Sequence, residues 1–266
     1  MNDLLNSLMT ANPRLMTAVL LVLSFGLHVL AVNLRERLPA TDLNRYPPFL
    51  RAVAWLGYEL VRLVFYVAPL YAALYFGWID LRSVGLGPVG AEGLNWGEGI
   101  RWFLVLGVGT WGFLMLIWMP YLRATGKLTE HFTPGELTRA PRRAFEVILM
   151  QAHWAFYRGA FALLLDSVTS LYVYWGAVVG LGLVLLEVWS DPRVRRQFMN
   201  VGQVEWGAWS AGLAVISAIA YLLTLNLWLV AVLHLLLEFS VPHLHVQPQG
   251  EESPGGNELQ SPQVPS

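Results

Sequence analysis

Long apolar stretches with few charged residues recur along the chain. A helix rises about 1.5 Å per residue, so a stretch of about 20 residues crosses a hydrocarbon core about 30 Å thick. Hydropathy, with Pro, Gly and charged residues as boundaries, predicts helices at 14–32, 50–76, 99–121, 142–165, 170–189, 203–224 and 226–241. The sequence therefore predicts an all-α fold, a polytopic membrane helix bundle of about seven transmembrane helices, with eight as the alternative.

Prolines and turn residues mark several predicted helix ends. Pro120 is predicted to end the third helix, and Pro141 to open the fourth, because a residue without an N–H fits the first helical turn. Thr133-Pro134-Gly135-Glu136 resembles a capping box, which predicts a short interfacial helix before Pro141. Thr224-Leu225-Asn226 is a slight break that separates the last two predicted helices.

Composition narrows the classes of function. The 266 residues are 56% hydrophobic and 13% charged, which is more apolar material than one soluble domain can cover with polar surface. The absence of Cys excludes disulfides, a thiol nucleophile and thiolate-bound zinc. A net charge of −1 gives no overall basic field, so nucleic acid is not an expected partner. Residues 246–266 are rich in Pro, Gly and Ser, which predicts a disordered tail.

The basic residues are unequally divided between the two sets of predicted loops. Lys and Arg stay preferentially on the cytoplasmic side, and one set holds only Arg14 and Arg82. The other set holds Arg35, Arg37, Arg45, Arg51, Arg123, Lys127, Arg139, Arg142, Arg143, Arg193, Arg195 and Arg196. We expect an integral membrane protein of a bacterial plasma membrane, with its N-terminus outside and its C-terminus cytoplasmic. The apolar run at 15–32 is interpreted as a retained span, because the basic cluster follows it.

Ionisable side chains inside the predicted spans are the candidates for chemistry, since each costs roughly 2.5–3.5 kcal/mol at bilayer depth. They concentrate in the C-terminal half, together with the polar Gln151: His153, Arg158, Glu187, Glu205, His234 and Glu238. His234 and Glu238 are four residues apart and share one helix face. Glu59 and Arg62, three apart in the second helix, are predicted to form an ion pair.

Imidazole and carboxylate groups are suitable zinc ligands. We predict that His153, Glu187, His234 and Glu238 meet in one polar site and hold a divalent metal such as zinc. Such a metal would generate hydroxide from a bound water near neutral pH. The structural alternative is that these groups pair with Arg158, Glu205 or backbone carbonyls and fix the register of the helices.

Three segments carry a resemblance to a known family. They are Asp80-Leu-Arg-Ser-Val-Gly-Leu-Gly before a long apolar helix, Phe156-Tyr157-Arg158-Gly159, and the stretch from Tyr221 to Glu238 with its Thr-containing break. Together they resemble the CAAX-protease and bacteriocin-processing (CPBP, Abi) family of intramembrane proteases. The resemblance divides the chain into N-terminal transmembrane helices at 1–79, a CPBP-like protease core at 80–245 and the tail.

The resemblance implies a site that opens to the membrane interior and cleaves a peptide bond of a prenylated protein or a precursor peptide. Membrane lipid and a peptide or protein substrate are the implied partners. His234 would bind a metal or the oxyanion, Glu238 would replace a closing Asn, and Arg158 would hold the arrangement of the fourth helix. Glu187 is the candidate general base, because a carboxylate beside imidazoles can take a proton from water.

The sequence departs from the family pattern at the positions that matter most. Aligned on Arg158, the two family glutamates fall on His153 and Trp154. The middle Phe-x-x-x-His motif has only Leu183-Val-Leu-Leu-Glu187 as its counterpart. One interpretation is a swapped constellation, in which the carboxylate has moved from the fourth to the fifth helix and an imidazole has moved the other way. The other interpretation is an inactive scaffold or chaperone that keeps the fold.

Two further classes are weighed against these interpretations. Gly207-Ala-Trp-Ser210-Ala-Gly212 loosely resembles the serine motif of rhomboid proteases, with His234 as the activating base. Small residues spaced in this way more often form close contacts between membrane helices. A transporter is disfavoured, because no Gly- or Pro-broken helices recur in two halves of the chain.

Overall fold

The computed structural model describes residues 12–37, 47–87, 96–124, 134–199 and 204–240, and over these ranges the chain is helical with no β-strand. The predicted all-α class is confirmed. The helices are α1 (Pro13–Arg37), α2 (Pro48–Tyr75), α3 (Trp96–Ala124), α4 (Pro134–Leu165), α5 (Tyr172–Ser190), α6 (Pro192–Met199), α7 (Val204–Thr224) and α8 (Leu227–Ser240). The predicted tail at 246–266 lies outside the described residues.

Each predicted helix has a counterpart, but two boundaries placed at prolines are wrong. Helix α3 continues past Pro120 to Ala124, and α4 begins at Pro134 and runs through Pro141. A proline removes a single backbone hydrogen bond, so a helix supported on both sides can contain one. After Pro141, Arg142 and Arg143 pair with Glu146 on the same helix.

The short helix α6 has no counterpart among the predicted helices. Its sequence carries three arginines and is too polar for hydropathy to predict it as a span. Asp191 immediately precedes Pro192, and a proline in the first turn has the φ angle that a helix needs. The dipeptide at 191–192 was therefore the available signal for this helix.

Helix α4 lies at the centre of the packing. It contacts α1, α2, α5 and α8, while α3 packs against α7 and α8. The closest approach is between α4 and α5, where a Cβ on Gly176 would lie 2.6 Å from the backbone nitrogen of Ala162 and 2.8 Å from the carbonyl oxygen of Arg158. Small residues allow helix backbones to approach in this way. This contact brings the polar side chains of α4 and α5 within hydrogen-bonding reach.

The break between α7 and α8 is a specific structure. Leu225 has a positive φ of 48°, and the side chain of Asn226 accepts hydrogen bonds from the two backbone N–H groups that open α8. The N–H of Leu227 donates to the carbonyl of Gly85 at 3.0 Å, so the segment after α2 packs onto the break. A Cβ on Gly85 would lie 2.8 Å from that nitrogen, which requires glycine there.

Within the described ranges, four helices are long and apolar enough to cross a membrane, which is fewer than the seven predicted spans. They are Pro13–Asn33, Trp96–Tyr121, Tyr172–Ser190 and Gly207–Thr224, and two shorter apolar helices are Leu60–Tyr75 and Leu227–Ser240. Large apolar side chains cover their outer faces; Leu116, for example, is 77% exposed. An apolar surface of this extent suits contact with lipid rather than water.

Ion pairs define which helix ends lie together. Arg14 at the start of α1 pairs with Asp166 just after α4, and Arg143 near the start of α4 pairs with Glu238 near the end of α8. Helices α1 and α8 therefore both run opposite to α4.

Candidate functional site

A buried carboxylate on α5 lies among two imidazoles and a phenol. An oxygen of Glu187 lies 3.1 Å from Nε2 of His153, 3.1 Å from Nδ1 of His28 and 3.2 Å from the hydroxyl of Tyr157. We call these four residues the Glu187 cluster. Glu187 is 4% exposed and His153 is 1% exposed, so the centre of the cluster is shielded from solvent.

The local folding of three helices builds the Glu187 cluster. His153 and Tyr157 are four residues apart and so share one face of α4. The turn after α4 returns the chain as α5, whose glycines let Glu187 reach that face. His28 comes from α1, which packs against both helices. The N-terminal helices therefore contribute directly to the cluster.

The chemistry of the groups constrains where protons lie. An ionised carboxylate only accepts hydrogen bonds, so the ring nitrogens of His28 and His153 that face Glu187 must each carry a hydrogen. The other nitrogen of His153, Nδ1, is buried and has no hydrogen-bond partner among the residues that the structure describes. The rings of Phe65 and Tyr66 lie beside it, with centroids 5.4 and 5.1 Å from the imidazole. The cluster therefore joins hydrogen-bond donors to a carboxylate in a largely apolar setting.

His234 belongs to a second polar group. Its Nδ1 lies 2.8 Å from the side-chain nitrogen of Gln151 and 3.3 Å from the hydroxyl of Ser217, and the same Gln151 nitrogen lies 3.1 Å from that hydroxyl. An amide NH2 only donates, so Nδ1 of His234 is the acceptor and the ring proton lies on Nε2. The serine that contacts His234 is thus Ser217, two turns along α7 from the predicted Ser210.

Glu238 has a different set of partners from His234, although both lie on α8. Arg143 donates to one carboxylate oxygen, and the indole nitrogen of Trp209 donates to the other at 3.4 Å. Glu238 is 0% exposed, whereas the Arg143 side chain is 33% exposed. Burial of the Glu238 carboxylate is costly without a nearby cation, and the partly exposed Arg143 supplies that charge.

The four predicted metal ligands are therefore not brought into one group. His153 and Glu187 meet, whereas His234 and Glu238 each bind other side chains. Gln151 and His153 are two residues apart on α4, about 200° around the helix, so α4 separates the two groups. Within the described ranges, no three His, Asp or Glu side chains are arranged to hold a metal ion.

Arg158 lies inside the bundle on α4 and is 3% exposed. Its guanidinium carbon is 4.3 Å from the centre of the Tyr221 ring, a cation–π contact. Tyr221 in turn donates to the carbonyl of Ser83, in the segment that packs on the α7–α8 break. Arg158 therefore links α4 to α7, and its role in holding the arrangement of the fourth helix stays a prediction.

Several partners in these groups were not among the predicted site residues. His28 is an ionisable residue in a predicted span, and that was the signal available for it in the sequence. Tyr157 lies in the predicted motif at 156–159, and Arg143 is among the predicted cytoplasmic cations. The side chains of Glu59 and Glu205 lie outside what the structure describes, so the predicted pair of Glu59 with Arg62 stays a prediction. Arg62 contacts Glu146, with 3.4 Å between nitrogen and oxygen.

No family model, curated protein or solved structure matches this chain. The resemblance to the CPBP proteases therefore stays a prediction that depends on the residues themselves. The geometry of the Glu187 cluster is the strongest basis for a functional hypothesis.

Proposed function

We propose that this chain is an integral membrane peptidase of the CPBP type, in which Glu187 is the general base. The observation that carries the proposal is the buried contact of the Glu187 carboxylate with His153, 3.1 Å apart. This contact pairs a carboxylate on α5 with an imidazole on α4, which is the arrangement that the swapped constellation predicts. The substrate would be a peptide bond of a membrane-associated, prenylated or precursor peptide.

The proposed step uses only groups of the cluster. Glu187 takes a proton from a water molecule, and the resulting hydroxide attacks the carbonyl carbon of the peptide bond. When the C–N bond breaks, the proton on Glu187 passes to the leaving amine, so the carboxylate is regenerated. His28 and His153 hold the carboxylate by hydrogen bonds, and Tyr157 donates to it. The side chain of His28 is 19% exposed, and we propose that water enters the cluster at that edge.

The membrane setting of the proposal follows the predicted topology. We propose seven spans, with the N-terminus outside and the C-terminus cytoplasmic, since the basic loops favour that orientation. Glu187 is three residues from the end of α5, so the cluster would lie near the cytoplasmic face. A substrate attached to the inner leaflet could then reach it.

A comparison of new N-termini tests the proposal without knowledge of the substrate. Membranes from cells expressing the wild-type chain, Glu187→Gln or the control Gly182→Ala are labelled at free N-termini and analysed by mass spectrometry. Gly182 has open space around it, so the control leaves the cluster intact. We expect termini that appear with wild type and with the control, and at least about 100-fold less with Glu187→Gln. No new termini with folded wild type would contradict the proposal.

A catalytically inactive scaffold or chaperone is the second candidate. It is favoured by the polar partners of His234 and Glu238, which satisfy both groups within the protein. If the protein is a scaffold, Glu187→Gln should cross-link to the same partners as wild type. Partners retained in both forms, with no new N-termini in either, would favour this candidate.

The zinc expected from the sequence stays a prediction, and the proposed proton transfers use the side chains of the Glu187 cluster alone. Metal analysis of purified wild type and His234→Ala tests this prediction. Stoichiometric metal in wild type that is absent from the variant would support His234 as a metal ligand.

A further inference from the structure

One end of the helix bundle exposes only positive charge among the side chains that the structure describes. Arg143 pairs with Glu238 at this end, and the contacts of Trp209 with Glu238 and with Trp118 bring the end of α3 to it. Helix α5 runs opposite to α4, so the end of α5 and the following helix α6 also lie here. The exposed charged side chains of this end are Arg123, Arg142, Arg195 and Arg196.

The charges exposed at the opposite end are balanced within the described ranges. That end holds Arg14 paired with Asp166, together with the segment after α2 and the start of α3. Its exposed charged side chains divide equally between cations and acids: Arg14, Arg82, Arg101, Asp80, Glu98 and Asp166. The arginine-bearing end therefore differs from it in net charge, and that difference is available to attract an anionic partner.

Helix α6 (Pro192–Met199) lies at the membrane boundary of the arginine-bearing end. A single residue, Asp191, separates it from the candidate span Tyr172–Ser190, and the next candidate span begins at Gly207. Helix α6 packs against α1, α5 and α7. Because it connects the ends of two spans that enter the bilayer, α6 lies at the depth of the lipid headgroups.

The side chains of α6 and its neighbours have the pattern of a membrane interface. Val194 is 6% exposed and anchors α6 to the bundle, whereas Arg195 and Arg196 are exposed. The ring of Phe198 lies 5.7 Å from that of Trp189, and both remain partly exposed, at 37% and 53%. Aromatic rings beside arginines at the end of a span are typical of a segment that contacts headgroups and the adjoining acyl chains.

We propose that α6 binds the headgroup of an anionic phospholipid, with Arg195 and Arg196 donating hydrogen bonds to its phosphate. Guanidinium groups match the geometry of phosphate oxygens. A lipid is favoured over a free phosphate ion, because Trp189 and Phe198 offer apolar contact that a free ion cannot use. The site is independent of the Glu187 cluster and of the proposed peptidase function.

Native mass spectrometry of the purified full-length protein in detergent tests this site, since it resolves single bound lipids. Wild type is titrated with dioleoylphosphatidylglycerol or dioleoylphosphatidylcholine, which share their acyl chains and differ in net charge. Each arginine near an anionic headgroup strengthens binding about fivefold, so two give about 25-fold. We expect wild type to bind the first phosphatidylglycerol about 25-fold more tightly than phosphatidylcholine, and Arg195→Gln/Arg196→Gln to bind both about equally.

The matched control is Arg82→Gln/Arg101→Gln, which removes the same charge from exposed positions at the opposite end and should keep the preference. Should the α6 double variant fail to fold, Arg195→Glu should lose at least about fivefold of the preference and Arg82→Glu should keep it. Equal affinity of wild type for the two lipids would overturn the proposal, as would an unchanged preference in a folded α6 variant. Displacement of phosphatidylglycerol by millimolar inorganic phosphate at constant ionic strength would also overturn it, since the site would then belong to a free ion.

Discussion

The contact between α4 and α5 underlies the Glu187 cluster, and the substitution Gly176→Ala tests it. The new Cβ would meet backbone atoms at 2.6, 2.8 and 2.9 Å, where ordinary contacts begin at 3.4 Å. Backbone atoms cannot rotate away as a side chain can. The two helices would have to separate locally by about 0.8 Å, which a close-packed interior resists.

The expected magnitude follows from two opposing terms. Gly→Ala in a helix gains about 1 kcal/mol of intrinsic helix stability. Overpacking of this kind costs about 1–3 kcal/mol, and backbone contacts place it at the upper end. Gly176→Ala should therefore lower the free energy of unfolding by about 2 kcal/mol. Gly182→Ala, on the same helix with nothing within 4 Å, should gain up to about 1 kcal/mol.

The assay compares thermal unfolding of the two variants in the same detergent. A difference of about 3 kcal/mol corresponds to Tm values roughly 6–12 °C apart for a protein of this size. Equal Tm values for Gly176→Ala and Gly182→Ala would refute the close approach of α4 and α5.

Three further pairs of substitutions test separate parts of the structure. Gly85→Ala should lower the free energy of unfolding by about 2–4 kcal/mol, because the new Cβ clashes with backbone atoms and the residue has a positive φ. Gly77→Ala has the positive φ without the clash and should lower it by about 1 kcal/mol. Thermal unfolding measures both variants. Arg143→Met should cost about 3 kcal/mol by leaving buried Glu238 without its cation, and an effect no larger than that of exposed Arg142→Met would contradict this role. Exchanging His153 and Glu187 tests the swapped constellation. His153→Glu and Glu187→His should each form new N-termini at least about 100-fold less than wild type, and the double variant should form them at least about tenfold more than either single variant. A double variant that folds but shows no such recovery would argue against the swap.

The helices were predictable because their signal is local. Apolar runs and chain breaks predict seven of the helices, and most of the predicted ends lie within a few residues of the observed ones. The break before Asn226 is one of these. The exceptions came from treating Pro120 and Pro141 as helix ends. Whether a helix continues through a proline depends on support from neighbouring residues, which the hydropathy pattern does not carry.

The site was only partly predictable, because it depends on rotation and contact between distant helices. The sequence identified His153 and Glu187, which meet across α4 and α5. It also grouped His234 with them, since spacing along one helix does not reveal which neighbour a face meets. Gly176 sets the α4–α5 approach, and no single-residue pattern distinguishes it from Gly182.

The central claim, that His153 and Glu187 interact within the bundle, is tested most directly by a double-mutant cycle on stability. The free energy of unfolding is measured for wild type, His153→Phe, Glu187→Leu and the double variant. We predict a coupling energy of about 1.5–3 kcal/mol, as for a buried hydrogen bond to a charged group. The same cycle between His153 and Glu238 should give less than about 0.5 kcal/mol. A coupling between His153 and Glu187 as small as that control would contradict the account.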